Sequence, residues 1–210
     1  MFCTRPDGND GLGPVEHVHG LKANGYQWLA LNAFDGTVGP EDWAEWRRQC
    51  ELNSLTWGWW ARCYTPAELE RLVKLTVDTR RSFVIFNCED ELATGAVTVD
   101  HLLDACWPTT SWAVDYGLST VAPLYHGVDW GRLTDAGVVV LPQAFMNVEA
   151  TITAAGALEQ AQGRGAGLVN VTIGLYPTPT SGRLTPADYE PLPAAWSAYH
   201  VGAVNTWEAA

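Results

Sequence analysis

From Tyr26 onward the chain alternates between short apolar, β-rich runs and stretches with helical periodicity. Seven runs read as strands: Tyr26–Ala33, Thr56–Arg62, Ser82–Cys88, Ser111–Tyr116, Val138–Ala144, Leu168–Leu175 and Val201–Trp207. Most are nearly continuous in apolar residues, the pattern of parallel strands covered on both faces. They recur roughly every 26–33 residues, about the length of one β-loop-α-loop unit.

The helices between them carry start signals. Thr65-Pro66-Ala67-Glu68 sets an N-cap, a proline at the first helical position and an acid at the third, and Thr185-Pro186-Ala187-Asp188 repeats the device. Gly39–Asp42 opens a helix through Glu51, and Thr98-Val99-Asp100 opens a short one through Trp107. A helix from about Thr151 to Gln162 ends at Gly163-Arg164-Gly165.

This alternation predicts a parallel sheet, either closed or open and doubly wound. An open nucleotide-binding sheet needs a glycine-rich phosphate loop after its first strand, and Phe34–Pro40 holds none. The expected fold is therefore α/β: a small (β/α)8-type, TIM-like barrel of about seven parallel strands. The alternating run Val15–Leu21, joined to the first strand through Asn24-Gly25, reads as an additional N-terminal hairpin strand. The expected organisation is residues 1–25 as an arm or hairpin strand and residues 26–210 as one domain.

Composition adds two features, a formal charge of −12 and eleven tryptophans. The charge argues against nucleic acid, anionic membranes and anionic polymers as partners, since phosphate binding is driven by clustered Lys and Arg. A neutral substrate or a protein partner is easier to accommodate. The tryptophans exceed what a core of this size needs and favour a binding surface, although Trp43 and Trp46, three apart on a helix, read as core. Trp57 and Trp59 share one strand face and Trp60 lies on the other.

Five cysteines without a CxxC pair form neither a disulfide framework nor a zinc site, and read as small core residues of a reduced compartment. His17 and His19 form an HxH pair with no third ligand spaced to help, so no metal or other cofactor is expected. The N-terminus shows no signal peptide and no apolar run is long enough to span a membrane.

In parallel β/α sheets, reactive residues sit at the C-terminal ends of the strands. Those positions hold Asp35, Tyr64, the cluster Glu89-Asp90-Glu91, Asp115, Gln143, Asn147, Tyr176 and Glu208, with Trp60, Trp112 and Trp207 close by. Carboxylate pairs facing aromatic platforms are what glycoside hydrolysis requires. The candidate catalytic residues are Asp115 and Glu89, on neighbouring strands, with Glu208 as a further acid. The candidate substrate-binding residues are Trp60, Tyr64, Gln143, Asn147, Tyr176 and Trp207.

Val140–Phe145 (VLPQAF), followed about thirty residues on by Val171–Tyr176 (VTIGLY), resembles a pattern in glycoside-hydrolase-like barrel modules. These occur in minor tail proteins of phages that infect actinobacteria and in related bacterial proteins. Ala30–Phe34 and Asn205–Glu208 suit the first and last strands of such a module, so the resemblance covers roughly Tyr26 to Glu208. It implies a virion tail protein, made in the host cytoplasm, that contacts host cell-surface glycan and assembles with other tail proteins as a homo-oligomer.

Active lysozyme-like barrels carry an acid-x-acid pair at the end of strand four, whereas here Asp115 is followed by Tyr116-Gly117. The expectation is accordingly a binding or structural role with weak or no hydrolysis. The alternative is an active cell-wall glycosidase using a carboxylate pair. A metabolic barrel enzyme is a third reading, without an identifiable phosphate loop.

Overall fold

The computed structural model describes residues 2–3, 13–23, 26–34, 39–81, 83–88, 90–106, 112–117, 127–145, 154–167, 171–175 and 201–206. Side chains are described throughout 13–23, 26–34, 39–81, 83–88, 90–105, 127–142 and 159–167.

The fold is built on a three-stranded parallel sheet, β2 (Trp28–Asn32), β3 (Thr56–Arg62) and β4 (Val84–Asn87). Both faces of all three are buried, so their sequences are apolar almost without interruption. Backbone pairing continues on either side. β1 (Phe2–Cys3) pairs with β2, while β5 (Trp112–Gly117), β6 (Val139–Phe145), β7 (Val171–Leu175) and β8 (Val201–Thr206) follow β4 in chain order. β8 pairs with β1, so eight parallel strands close on themselves.

This corrects the fold expected from the sequence. A TIM-like barrel of seven parallel strands with an N-terminal hairpin strand is not the fold of this chain. Val15–Leu21 is no strand: it lies within helix α1 (Pro14–Ala23), which buries His17, Val18 and Leu21 on one side. The strand that pairs beside β2 is the two-residue β1, and it runs parallel rather than antiparallel. His17 and His19 therefore do not share a strand face. His17 is buried with its ring edge-on to Trp46 at 5.1 Å, and His19 is exposed.

The helices follow local signals. A 3-10 turn (Pro40–Trp43) leads into α2 (Ala44–Leu52), where Trp43, Trp46 and Cys50 recur at i, i+3 and i+7 and face the sheet. In α3 (Pro66–Asp78) the buried positions Leu69, Leu72, Val73 and Thr76 keep the same spacing. Its start is fixed by Glu68, whose carboxylate accepts the backbone N–H groups of Tyr64 and Thr65 at 2.8 and 2.9 Å. Beyond β4 come two helices, α4 (Asp90–Thr94) and α5 (Val99–Cys106). α6 (Trp130–Asp135) precedes β6, and α7 (Ala154–Gly163) lies between β6 and β7. The helix expected after Thr185 lies outside the described residues.

Two apolar clusters result. The larger, between strands and helices, takes Trp43, Trp46, Trp57, Trp59, Phe86 and Trp130. The smaller, inside the closed sheet, is Ala30, Trp60, Ile85 and Leu141, with Trp28, Phe83 and Val139 packed against it. Trp57 and Trp59 thus face the helices and Trp60 the interior, the parity expected from alternation along β3. Among the described residues, no helix is long and apolar enough to cross a membrane.

Cys50, Cys63 and Cys88 are all buried. Burial, with the Glu51 carboxylate second, pushes the Cys50 thiol from an ordinary value near 9 up to about 12. A thiol raised in the folded state keeps its proton where the unfolded chain has lost it. Its contribution to stability is therefore complete below about pH 9 and is lost as pH rises towards 12. Urea melts of the wild type and Cys50→Ala should show a stability difference that narrows steadily above pH 9. A difference constant to pH 11 would contradict this placement of the thiol.

Candidate functional site

The small interior cluster ends at the C-terminal ends of the strands, where the inward positions change character. Two residues beyond Ala30 stands Asn32, two beyond Trp60 stands Arg62, and two beyond Ile85 stands Asn87. A strand repeats its facing every second residue, so each polar residue sits above an apolar one on the same side. Asn32 and Asn87 are buried, and Arg62 is partly exposed. The Asn32 Oδ1 accepts the backbone N–H of Phe34 at 3.2 Å, tying the side chain to the chain leaving β2.

Register sets Asn32 beside Trp60, one inward step below the row that begins at Arg62. Arg62 pairs with Asn87, and Asn87 pairs with Asp115 on β5. Asp115 in turn pairs with Leu141 on β6, two residues before Gln143. A guanidinium, a buried amide and a carboxylate-bearing residue thus occupy equivalent positions on three adjacent strands.

Arg62 is held from α4. Its Nη2 donates to the Glu91 Oε1 at 3.3 Å and stands 3.8 Å from the Asp90 Oδ2. Glu91 is only 7% exposed, and among the described residues its other carboxylate oxygen is buried without a hydrogen-bond partner. Charge-assisted bonds of this kind are stronger than neutral ones, and a desolvated carboxylate holds its cationic partner firmly. The Arg62 guanidinium also lies over the ring of Tyr64, 5.0 Å from its centroid. Tyr64 itself is 54% exposed, at the outer rim.

Of the candidates read from the sequence, Tyr64 reaches the rim. Trp60 is buried inside the closed sheet, beneath Arg62. Asp115 and Gln143 lie on β5 and β6 and are placed by backbone register alone. Glu89, Asn147, Tyr176, Trp207 and Glu208 lie outside the described residues, as does Asp35. The pairing of Asp115 with Glu89 or Glu208 therefore has no described geometry. Residues the sequence reading passed over are Asn32, Arg62 and Asn87. Their signal was the step of two from an apolar inward residue to a polar strand end.

The accessible described groups at the strand ends are one guanidinium already engaged by two carboxylates and an exposed aromatic ring. Such a set suits hydroxyl groups and an apolar ring face better than a phosphate or carboxylate. Among the described residues, no group of three or more His, Cys, Asp and Glu is arranged to hold a metal ion. No protein family, no curated protein and no solved structure matches the chain.

Proposed function

We propose that this chain is a tail protein of an actinobacterial phage that binds a neutral glycan of the host surface without cleaving it. The observation that carries the binding reading is the polar layer at the strand ends. Asn32, Arg62 and Asn87 each stand two residues beyond an apolar inward position, and Asp115 continues the row of Arg62 and Asn87 on β5. The exposed Tyr64 ring can cover the carbon-bound face of a sugar while the partly exposed Arg62 guanidinium beside it donates to a hydroxyl. The net charge of −12 works against anionic polymers and leaves neutral sugars as the favoured class. Support for the virion setting is the resemblance carried by Val140–Phe145 and Val171–Tyr176. Assembly with other tail proteins as a homo-oligomer belongs to the same proposal.

The test uses purified actinobacterial cell-wall polysaccharide, with co-sedimentation and reducing-end release measured on the same samples. Binding by the wild type without release of reducing ends is expected. Release by the wild type that disappears in Asp115→Asn would replace the binding reading with a hydrolase. Neither sedimentation nor release would refute both.

A further inference from the structure

The geometry points to Tyr64 as a stacking platform for a neutral sugar ring, held ready by Arg62 and Glu91. This deepens the glycan-binding reading and rests on it. Tyr64 is more than half exposed, yet it is fixed from two directions. Its backbone N–H donates to the Glu68 carboxylate at 2.8 Å, the bond that also anchors the start of α3. One face of its ring is covered by the Arg62 guanidinium, 5.0 Å from the centroid. The guanidinium is in turn held by Glu91, whose carboxylate is buried. A large aromatic ring at a rim, with its backbone and one face immobilised, offers the opposite face with little conformational entropy left to lose.

The occupant follows from charge. A flat apolar face can take a nucleobase, an aromatic residue or the carbon-bound face of a sugar. A nucleotide brings phosphate, and Arg62 is already engaged by Glu91 and by Asp90 at 3.8 Å, in a chain of net charge −12. A neutral sugar meets no such repulsion. Glu91 and Arg62 are positioning residues in this arrangement, because they act through the orientation of the tyrosine ring.

The experiment is quantitative co-sedimentation of the full chain with purified actinobacterial cell-wall polysaccharide, repeated with single-stranded DNA. Thermal melts of every variant accompany it. Tyr64→Ala should weaken polysaccharide binding about tenfold and leave the melting temperature close to wild type, as expected for an exposed ring. Tyr64→Phe should stay within about twofold of wild type, since stacking uses the ring rather than the hydroxyl. Glu91→Gln, which weakens the hold on Arg62, should fall between the two. Wild-type binding with Tyr64→Ala unchanged would overturn the platform and leave the glycan reading standing. DNA binding that is lost in Tyr64→Ala would overturn the sugar assignment. A wild type that does not sediment with polysaccharide would bring down both readings.

Discussion

Replacing Gly58 by alanine is expected to cost about 3 kcal/mol of stability, a large effect for one methyl group. Gly58 sits on the inward side of β3, two residues before Trp60, where neighbouring strands and the interior cluster converge. A Cβ built there would stand 2.6 and 2.7 Å from two ring carbons of Phe83 and would also run into the Phe83 backbone carbonyl. The ring can rotate away, but the carbonyl moves only if β3 and β4 part. Urea melts should give the loss directly, with a fall of about 10 °C in melting temperature for a chain of this size. Adding Phe83→Ala to Gly58→Ala should recover only part of it, because removing the ring leaves the carbonyl in place. If Gly58→Ala lies within about 0.5 kcal/mol of wild type, the close approach of β3 to Phe83 is wrong.

The same tight interior explains what the sequence could and could not disclose. β3 and β4 were visible as apolar runs because both their faces are buried. That continuity hides which residues point inward, since apolar residues on both faces erase the period of two. Asn32, Arg62 and Asn87 therefore read as isolated strand ends, less conspicuous than the loop carboxylates beyond them. Register sets Arg62 beside Asn87 and Asn87 beside Asp115, whereas Asn32 falls beside Trp60, one inward step below. β1 is two residues long and too short to carry any periodic signal. Val15–Leu21 misled for a different reason. Val15, His17 and His19 simulate alternation, whereas the buried residues His17, Val18 and Leu21 trace a helical face. Tertiary packing of His17 on Trp46 decides between the two, and no local pattern reports that contact.

Most of the tryptophans with described side chains serve the packing of the sheet. Trp43, Trp46, Trp57, Trp59, Trp60 and Trp130 are all buried, and among the described residues the exposed aromatic ring at the strand ends is Tyr64. The large rings fill the space between a small sheet and its short helices, where smaller side chains would leave voids. Their energetic role is accordingly in packing, which sets the size of the second effect.

Trp59→Ala should cost about 4 kcal/mol, a substantial share of the total stability of an ordinary domain. Trp59 lies on the outward face of β3 and is fully buried against the helical layer. Its ring meets Trp57 edge-on at 5.3 Å, and its Nε1–H donates to the Thr79 Oγ1 at 2.9 Å. Alanine there leaves a cavity that two flanking helices cannot close without leaving the sheet. Two milder variants separate volume from hydrogen bonding. Trp59→Phe retains most of the apolar contact, and Thr79 keeps the partner its hydroxyl already donates to, the Leu75 carbonyl at 2.7 Å. Thr79→Val keeps the ring but strands a buried indole N–H, for about 1–2 kcal/mol. Denaturant melts should therefore rank Trp59→Ala well below Trp59→Phe and Thr79→Val. Equal losses in all three would mean that the hydrogen bond, not the ring's volume, holds β3 against its helices. Arg62 and Tyr64 follow Trp59 on the same strand and the turn after it, so the ranking also bears on the site. If the packing account holds, the Trp59→Phe variant should keep whatever polysaccharide co-sedimentation the wild type shows, wherever it remains folded, because the buried ring supports the strand from the helical side.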